Sequence, residues 1–278
     1  MKIYKTTTGI IIESAGNIYS SKHESWDSCL NQENFFKGIE AEVSGANPLG
    51  RMDKLNDLTI QAPIQSQEIW AAGVTYIRSR DARVEESKDT GGGSFYDKVY
   101  EAVRPELFFK STPYRCVGPG EKVRVRKDST WNVPEPELTL VINNKGKIIG
   151  YTVGNDMSSR SIEGENPLYL PQAKSYDGSA AIGPCIYVPA APISPETIIR
   201  MQIKRDGTMM YADEVAINKM KRSHTELVEF LFRECSFPHG CLLMTGTCLV
   251  PPNNFTLQSG DEIAIRIDHI GELKNFVE

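Results

Sequence analysis

The sequence predicts a β-rich α+β protein with a small N-terminal domain, residues 1–62, followed by a larger domain, residues 63–278. Short runs typical of strands dominate from residue 106 onward, and one clear amphipathic helix interrupts them between His224 and Cys235. Many strands with few helices favour the α+β class. Pro63 and its polar neighbours separate the N-terminal runs from a buried-strand pattern at 68–74, which places the boundary near residue 62.

Each domain has recognisable strand patterns. In the N-terminal domain, β-type runs at 3–4, 9–12 and 17–19 predict a short meander, and a turn is expected at 47–50. The runs in the larger domain are enriched in Val, Ile, Leu and aromatic residues, as strands are. They are residues 107–110, 122–125, 138–142, 148–153, 185–188, 198–203 and 262–267.

A strongly charged stretch, residues 78–88, predicts a helix that precedes three consecutive glycines, Gly91 to Gly93. Three glycines cost conformational entropy to order and do not continue a helix. We therefore expect a mobile lid here, carrying Glu85 and Glu86, with an idle surface loop as the alternative.

Composition excludes several classes of protein. A net charge of −5 leaves no basic excess for a nucleic-acid surface. No apolar run reaches the roughly 18 residues of a membrane span, and the first twelve residues do not form a signal peptide. Six cysteines lack CxxC spacing and four histidines lack metal-ligand spacing. We expect a cytoplasmic protein with reduced thiols.

Two glutamates open a strand at residues 138–142. Alternate residues of a strand point to one face, so Glu135 and Glu137 project together, with Pro136 between them. Like charges held side by side favour a cation between them. A Glu-x-Glu pair on an exposed edge strand is nevertheless common, so the pair alone is a weak signal.

A hairpin brings a third carboxylate to the pair. The turn at 143–147 leads to a strand at 148–153, and Asp156 follows directly after this strand. In an antiparallel hairpin the end of the second strand lies beside the start of the first, so Asp156 returns to Glu135 and Glu137. Three carboxylates without a nearby Cys or His suit Mg²⁺, with Mn²⁺ and Ca²⁺ as alternatives.

With these residues in place, the chain resembles the fumarylacetoacetate hydrolase family. The matching segments follow the family's order from about residue 68 to the C-terminus. They are EPEL (135–138), GYTVGNDMSSR (150–160), KSYD (174–177), IGP (182–184), TGT (245–247), LQSGD (257–261) and IGELKN (270–275).

The resemblance implies a rolled mixed β-sheet domain that assembles as a homodimer or a higher homo-oligomer. It implies that Glu135, Glu137 and Asp156 bind Mg²⁺ or Mn²⁺, which chelates a 2-oxo acid. Lys174 would lie beside the metal, and Thr247 would hold the substrate carboxylate.

One departure from the family's hydrolases concerns their lid histidine, which activates water. Ser79 stands at that position, so the site has no evident base for hydrolysis. The segments around 73–81, 104–110 and 161–172 are similar to a branch of 2-keto-3-deoxy sugar acid dehydratases. In that branch Thr75, Tyr76, Arg78 and Ser79 would contact the substrate.

The resemblance thus implies loss of water from a 2-keto-3-deoxy sugar acid, such as 2-dehydro-3-deoxy-D-arabinonate, to give 2-oxoglutarate semialdehyde. Lys174 or Glu106 would be the base, or Glu106 a further metal ligand. One alternative is a hydrolase or decarboxylase that acts on an acylpyruvate-like 2-oxo acid. Another is a binding protein that keeps the fold without catalysis.

Overall fold

The computed structural model describes residues 1–86 and 93–278. The α-helices are α1 (Trp26–Leu30), α2 (Phe35–Ser44), α3 (Ile77–Glu86), α4 (Gly93–Glu101), α5 (Arg160–Glu165), α6 (Leu170–Lys174) and α7 (His224–Leu231). Short 3₁₀ helices span Met52–Asp57, Pro113–Arg115, Pro167–Tyr169 and Ile217–Lys219. No helix in the described ranges is long and apolar enough to cross a membrane.

The strands outnumber the helices, as the sequence predicts. The first nine are β1 (Lys2–Thr6), β2 (Gly9–Ser14), β3 (Asn17–Ser20), β4 (Gly50–Arg51), β5 (Glu68–Gly73), β6 (Glu106–Ser111), β7 (Cys116–Val117), β8 (Lys122–Val123) and β9 (Asn132–Val133). The others are β10 (Pro136–Ile142), β11 (Ile148–Asp156), β12 (Ser158–Ser159), β13 (Ala180–Tyr187), β14 (Ile198–Arg205), β15 (Thr208–Ala216), β16 (Cys241–Met244), β17 (Glu262–Ile267) and β18 (Gly271–Val277).

The larger sheet runs in the order β4-β3-β2-β1-β13-β11-β10-β16-β5-β6, with β7 beside β13. Its strands pair both ways: β10 and β11 are antiparallel, whereas β16 and β5 are parallel. The predicted N-terminal meander forms β1 to β3 and joins this sheet where β1 pairs with β13. The division of the chain at residue 62 stays a prediction.

A second sheet runs in the order β15-β14-β17-β18-β8. Together with the helices, the two sheets confirm the β-rich α+β class. The predicted helix near residue 224 is α7, which begins where the hydroxyl of Ser223 accepts the backbone N–H of Glu226, an N-cap arrangement. The charged helix is α3. The glycines Gly91 and Gly92 of the expected lid lie outside the described residues.

Strand β10 lies at the centre of the core and is buried along its whole length. Leu138 and Leu140 belong to one hydrophobic cluster, and Val141 belongs to the other, on the opposite face of the sheet. Because strand side chains alternate, Glu135 and Glu137 share the face of Val141. A buried, well-packed strand therefore holds both glutamates.

Gly150 on β11 is required by close packing against β13. A Cβ atom at this position would lie 2.5 Å from Cγ2 of Ile186 and 2.8 Å from the backbone oxygen of Tyr187. We expect Gly150→Ala to lower the free energy of unfolding by about 1–3 kcal/mol, because backbone atoms cannot yield cheaply.

Urea unfolding monitored by circular dichroism measures this change, with Gly45→Ala as the matched control. At Gly45 a Cβ atom would meet its nearest neighbour at an ordinary 3.5 Å, so the control should change stability by about 0.5 kcal/mol or less. Equal effects of the two substitutions would contradict the packing account.

Candidate metal centre

Pairing of β10 with β11 brings Glu135, Glu137 and Asp156 together. Glu137 lies opposite Gly154, and the backbone N–H of Asp156 donates to the carbonyl oxygen of Glu135 at 2.9 Å. Each residue offers a carboxylate oxygen, and these oxygens all lie within 4.8 Å of one another. All three side chains are buried, so their negative charges are poorly screened.

Lys174, at the end of α6, places its ammonium among these carboxylates. Nζ donates to Oε2 of Glu135 at 2.6 Å, to Oδ2 of Asp156 at 2.9 Å and to Oγ of Ser158 at 2.6 Å. The three N–H donors of a lysine are thus all engaged. The structure therefore places Lys174 in the carboxylate cluster, and its position beside a metal ion stays a prediction.

Lys110 is a second buried cation, and the sequence reasoning did not identify it. Its Nζ lies 2.6 Å from Oδ1 of Asp156 and donates to the carbonyl oxygen of Met157 at 2.9 Å, and also to that of Lys174. Burial alone would raise the pKa of Asp156, but Lys110 and Lys174 outweigh it and hold that pKa below its usual range. The sequence feature that could have indicated a buried cation here is a lysine directly after the apolar run 107–109.

Two arginines that were not predicted from the sequence contact Glu135. Nη2 of Arg160 lies 2.7 Å from Oε1 of Glu135, and Nη2 of Arg83 lies 3.3 Å from the same oxygen. Arg160 begins α5 and follows the strand that carries Asp156, whereas Arg83 comes from α3. Glu135 therefore faces cations from three helices, α3, α5 and α6.

Glu137 has a different electrostatic environment. The backbone N–H of Gly246 donates to its Oε2 at 2.5 Å. Burial, followed by the charges of Asp156 and Glu135, raises the pKa of Glu137 well above 4.5, and Lys174 opposes this only in part. A divalent cation beside Glu137 would remove this penalty.

The donor set fits a hard divalent cation. Carboxylate oxygens are the ligands that Mg²⁺ and Mn²⁺ prefer, and three of them converge within the reach of a single ion. The ammonium of Lys174 already bridges Glu135 and Asp156, which shows that positive charge is accommodated between them. Glu135, Glu137 and Asp156 would hold the ion.

A small cavity adjoins the carboxylates, with a volume of about 10 Å³. That is about the space of one water molecule. The cavity is lined by Ala72, Gly73, Val74, Ser79, Arg83, Phe108, Glu135, Glu137, Asp156, Lys174, Gly246 and Thr247.

Two of the predicted substrate-contacting residues, Ser79 and Thr247, line this cavity and are buried. Gly246 lies between Thr245 and Thr247 with φ of +99°, a conformation that favours glycine. A Cβ on Gly246 would lie 2.0 Å from Oγ1 of Thr75. The Thr-Gly-Thr segment can therefore approach the cavity because its centre lacks a side chain.

The structure places the other predicted substrate-contacting residues outside the cavity wall. The hydroxyl of Thr75 donates to the carbonyl oxygen of Thr245 at 2.7 Å, and Tyr76 is buried. Arg78 is exposed and pairs with Asp213 at 3.0 Å. Direct substrate contacts of Thr75, Tyr76 and Arg78 stay predictions.

Glu106 begins β6 and lies against Gly73, which lines the cavity. A Cβ on Gly73 would lie 2.0 Å from Oε2 of Glu106, so the glycine makes room for this carboxylate. Burial raises the pKa of Glu106, while Arg83 and Lys174 lower it. On α3, Glu85 is exposed, and the side chain of Glu86 lies outside the described residues.

Comparisons with known proteins identify one family and two similar dehydratases. The family model described as "Fumarylacetoacetate (FAA) hydrolase C-terminal" matches residues 69–278. A "Probable 2-keto-3-deoxyxylonate dehydratase" of Haloferax volcanii is 50% identical over 226 residues, 81% of this chain and 77% of that protein. A "2-dehydro-3-deoxy-D-arabinonate dehydratase" of Saccharolobus solfataricus is 44% identical over 222 residues, covering 79% and 74%.

A solved structure has the same overall fold. It is described as "2-keto-3-deoxy-D-arabinonate dehydratase complexed with magnesium and 2,5-dioxopentanoate" and superimposes with a TM-score of 0.84. The two chains are 35% identical, and the match covers 100% of this chain and 99% of the other.

The raised pKa of Glu137 predicts how the metal-free protein responds to pH. The folded state binds this proton more tightly than the unfolded state, so the free energy of unfolding should fall as pH rises above about 4.5. Glu137→Gln removes the titrating group, and its stability should decline less between pH 4.5 and 8.

Urea unfolding in excess chelator over this pH range compares the wild type with Glu137→Gln. Wild-type protein with added Mg²⁺ is the second arm, and there the decline should diminish because the ion compensates the carboxylate. Identical pH profiles of the metal-free wild type and the variant would contradict this account.

Proposed function

The chain belongs to the fumarylacetoacetate hydrolase family, and on that premise we propose that it is a Mg²⁺-dependent dehydratase of 2-keto-3-deoxy sugar acids. The observation that carries the proposal is the buried group of Glu135, Glu137 and Asp156. Its relatives at 50% and 44% identity are dehydratases of this substrate class. We propose 2-dehydro-3-deoxy-D-arabinonate as substrate and 2,5-dioxopentanoate, that is 2-oxoglutarate semialdehyde, as product.

Glu135, Glu137 and Asp156 would hold Mg²⁺, and the bound ion would supply a Lewis acid for negative charge on the C2 keto oxygen of the substrate. The protein provides the surroundings. Gly246 and Thr247 border the cavity and would position the carboxylate of the 2-oxo acid. The carboxylates and Lys174 are buried, which strengthens the charge interactions among them.

We assign the proton abstraction at C3 to Glu106. Its pKa is raised by burial, which makes its carboxylate a stronger base than an ordinary glutamate. Lys174 fits this role less well, because its three donors are engaged by Glu135, Asp156 and Ser158. Lys174 instead adds positive charge beside the developing enolate.

The formal charges of the site agree with a bound 2-oxo acid. Four cations, Lys110, Lys174, Arg160 and Arg83, face five carboxylates, those of Glu135, Glu137, Asp156, Glu106 and Glu163. A divalent ion would change the formal net charge from −1 to +1, and the carboxylate of a 2-oxo acid would bring it to zero. Transfer of a proton from C3 to Glu106 then moves negative charge onto the substrate, beside the ion, without changing that total, and this stronger attraction lowers the barrier.

The elimination conserves atoms without any further reactant. Glu106 takes a proton from C3, and the C3–H electron pair becomes the enolate. The enolate then forms the C3–C4 double bond as the C4–O bond breaks, and the C4 hydroxyl leaves as water with the proton that Glu106 took. The unsaturated acid that remains has a terminal CH₂–OH group. A proton moves from C5 to C3, and the enol that results at C4 and C5 tautomerises to the semialdehyde. No oxidant or water enters the reaction.

Ser79 bears on the choice between dehydration and hydrolysis. It lies in the cavity wall, and its hydroxyl is a poor base at neutral pH. Ser79 would therefore not activate water for hydrolysis. Location in the cytoplasm and assembly as a homodimer or higher homo-oligomer complete the proposal, as predictions from composition and family.

The reaction itself is tested with purified protein, Mg²⁺ and 2-keto-3-deoxy-arabinonate, followed by NMR. The semialdehyde should accumulate, excess chelator should stop the reaction, and added Mg²⁺ should restore it. Release of pyruvate or carbon dioxide would support a hydrolase or decarboxylase instead. Absence of turnover on any 2-keto-3-deoxy acid would overturn the dehydratase assignment.

Glu106→Gln tests the assignment of the base. We expect kcat to fall by about 10²- to 10⁴-fold, the usual contribution of a general base. Calorimetric Mg²⁺ affinity should stay within threefold of wild type, because Glu106 is not one of the three proposed ligands. Glu137→Gln is the matched control and should lose Mg²⁺ binding. Weakened Mg²⁺ binding in Glu106→Gln would instead make Glu106 a ligand.

A further inference from the structure

Helix α3 forms part of the cavity wall and reaches the site through Arg83. The guanidinium is buried and contacts two carboxylates on different elements. Its Nη1 pairs with Oε1 of Glu163 on α5, and its Nη2 lies 3.3 Å from Oε1 of Glu135. Arg83 therefore joins the helix to the wall beneath it and to a proposed metal ligand.

Glu163 is as buried as the proposed metal ligands, with 1% of its surface exposed. Its Oε2 has no hydrogen-bond partner among the described residues. A buried carboxylate of this kind strongly favours a cation nearby, and Arg83 brings one only when α3 lies against α5. The electrostatic cost of burying Glu163 thus favours the position of α3 seen here.

We propose that Arg83 and Glu163 form a clasp that fixes α3 over the substrate cavity, and that Arg83 is a positioning residue for dehydration. The clasp couples the position of α3 to the carboxylate cluster, because the same guanidinium contacts Glu135. Opening the clasp withdraws Ser79 and Arg83 together from the cavity wall, since both lie on α3.

The position of α3 bears on access to the cavity. The space that the described residues leave there is about 10 Å³, so displacement of α3 would enlarge it for a five-carbon acid, and the return of α3 would close the site. The other walls are β-strands and segments of the buried core. Helix α3 follows β5 after residues 74–76 and carries mostly charged residues, so we expect it to be the wall that moves at least cost.

The polar contacts of α3 and of its neighbour α4 differ in strength. Arg222 donates to the carbonyl oxygens of Val99, Ala102 and Val103, which caps the end of α4. By contrast, Arg78 on α3 pairs with Asp213 at an exposed position, where an ion pair contributes little. Arg83 is therefore the buried ionic contact expected to control α3.

Hydrogen–deuterium exchange of α3 amides, read by mass spectrometry on the full-length protein, tests the clasp directly. We expect Arg83→Met and Glu163→Gln each to increase exchange in residues 77–86 at least tenfold, with β10 and β11 unchanged. The double variant should exchange no faster than Arg83→Met, because both substitutions break one contact. Arg78→Gln is the matched control, with a change below threefold.

Two further measurements separate positioning from general damage. Arg83→Met removes a positive charge beside Glu135, so Mg²⁺ should bind at least as tightly as in the wild type. Its kcat for dehydration should fall at least tenfold, and Arg83→Lys should recover part of the loss. Weaker Mg²⁺ binding with faster exchange throughout the chain would overturn the proposal in favour of a merely structural role.

The clasp would also be overturned if α3 of Arg83→Met exchanged at the wild-type rate. Exchange in the double variant that equalled the combined increases of the two single variants would overturn it as well. The kinetic arm rests on the proposed function, whereas the exchange and Mg²⁺-binding arms do not. A wild-type protein without dehydratase activity would therefore remove the proposed function and leave the exchange test intact.

Discussion

Burial of three carboxylates within 4.8 Å of one another is the constraint on which the rest of the site depends. Unscreened like charges in the protein interior are costly unless cations compensate them. The chain provides such cations from separate elements: Lys110 from β6, Lys174 from α6 and Arg160 from α5. The elements around β10 and β11 are therefore held in place partly by the charges that they bring.

The protein cations compensate the three carboxylates unequally, and this difference determines where a metal ion would bind. Glu135 and Asp156 each contact buried cations, whereas Glu137 is left with a pKa well above its usual range. A divalent ion would compensate Glu137 and place positive charge beside the keto oxygen of a bound 2-oxo acid, where an enolate develops its negative charge. Metal binding, substrate choice and stabilisation of the enolate thus follow from one arrangement of charges.

The carboxylates could be predicted from sequence because strand alternation and hairpin return are local rules. They place Asp156 beside Glu135 whatever the rest of the fold does. The compensating cations depend on tertiary packing, since Lys110 and Arg83 come from elements far away in the chain. Strand β15 was missed because its residues are mostly exposed and lack an apolar alternation. The family resemblance, rather than any local pattern, indicated Lys174.

Anomalous X-ray diffraction from crystals grown with Mn²⁺ tests whether the three carboxylates bind a metal ion, because it locates the ion without reference to activity. We expect one strong peak bounded by carboxylate oxygens of Glu135, Glu137 and Asp156. A peak at another position would contradict it. Absence of a peak here, with Lys174 still bridging Glu135 and Asp156, would show that the cluster is balanced by protein cations alone.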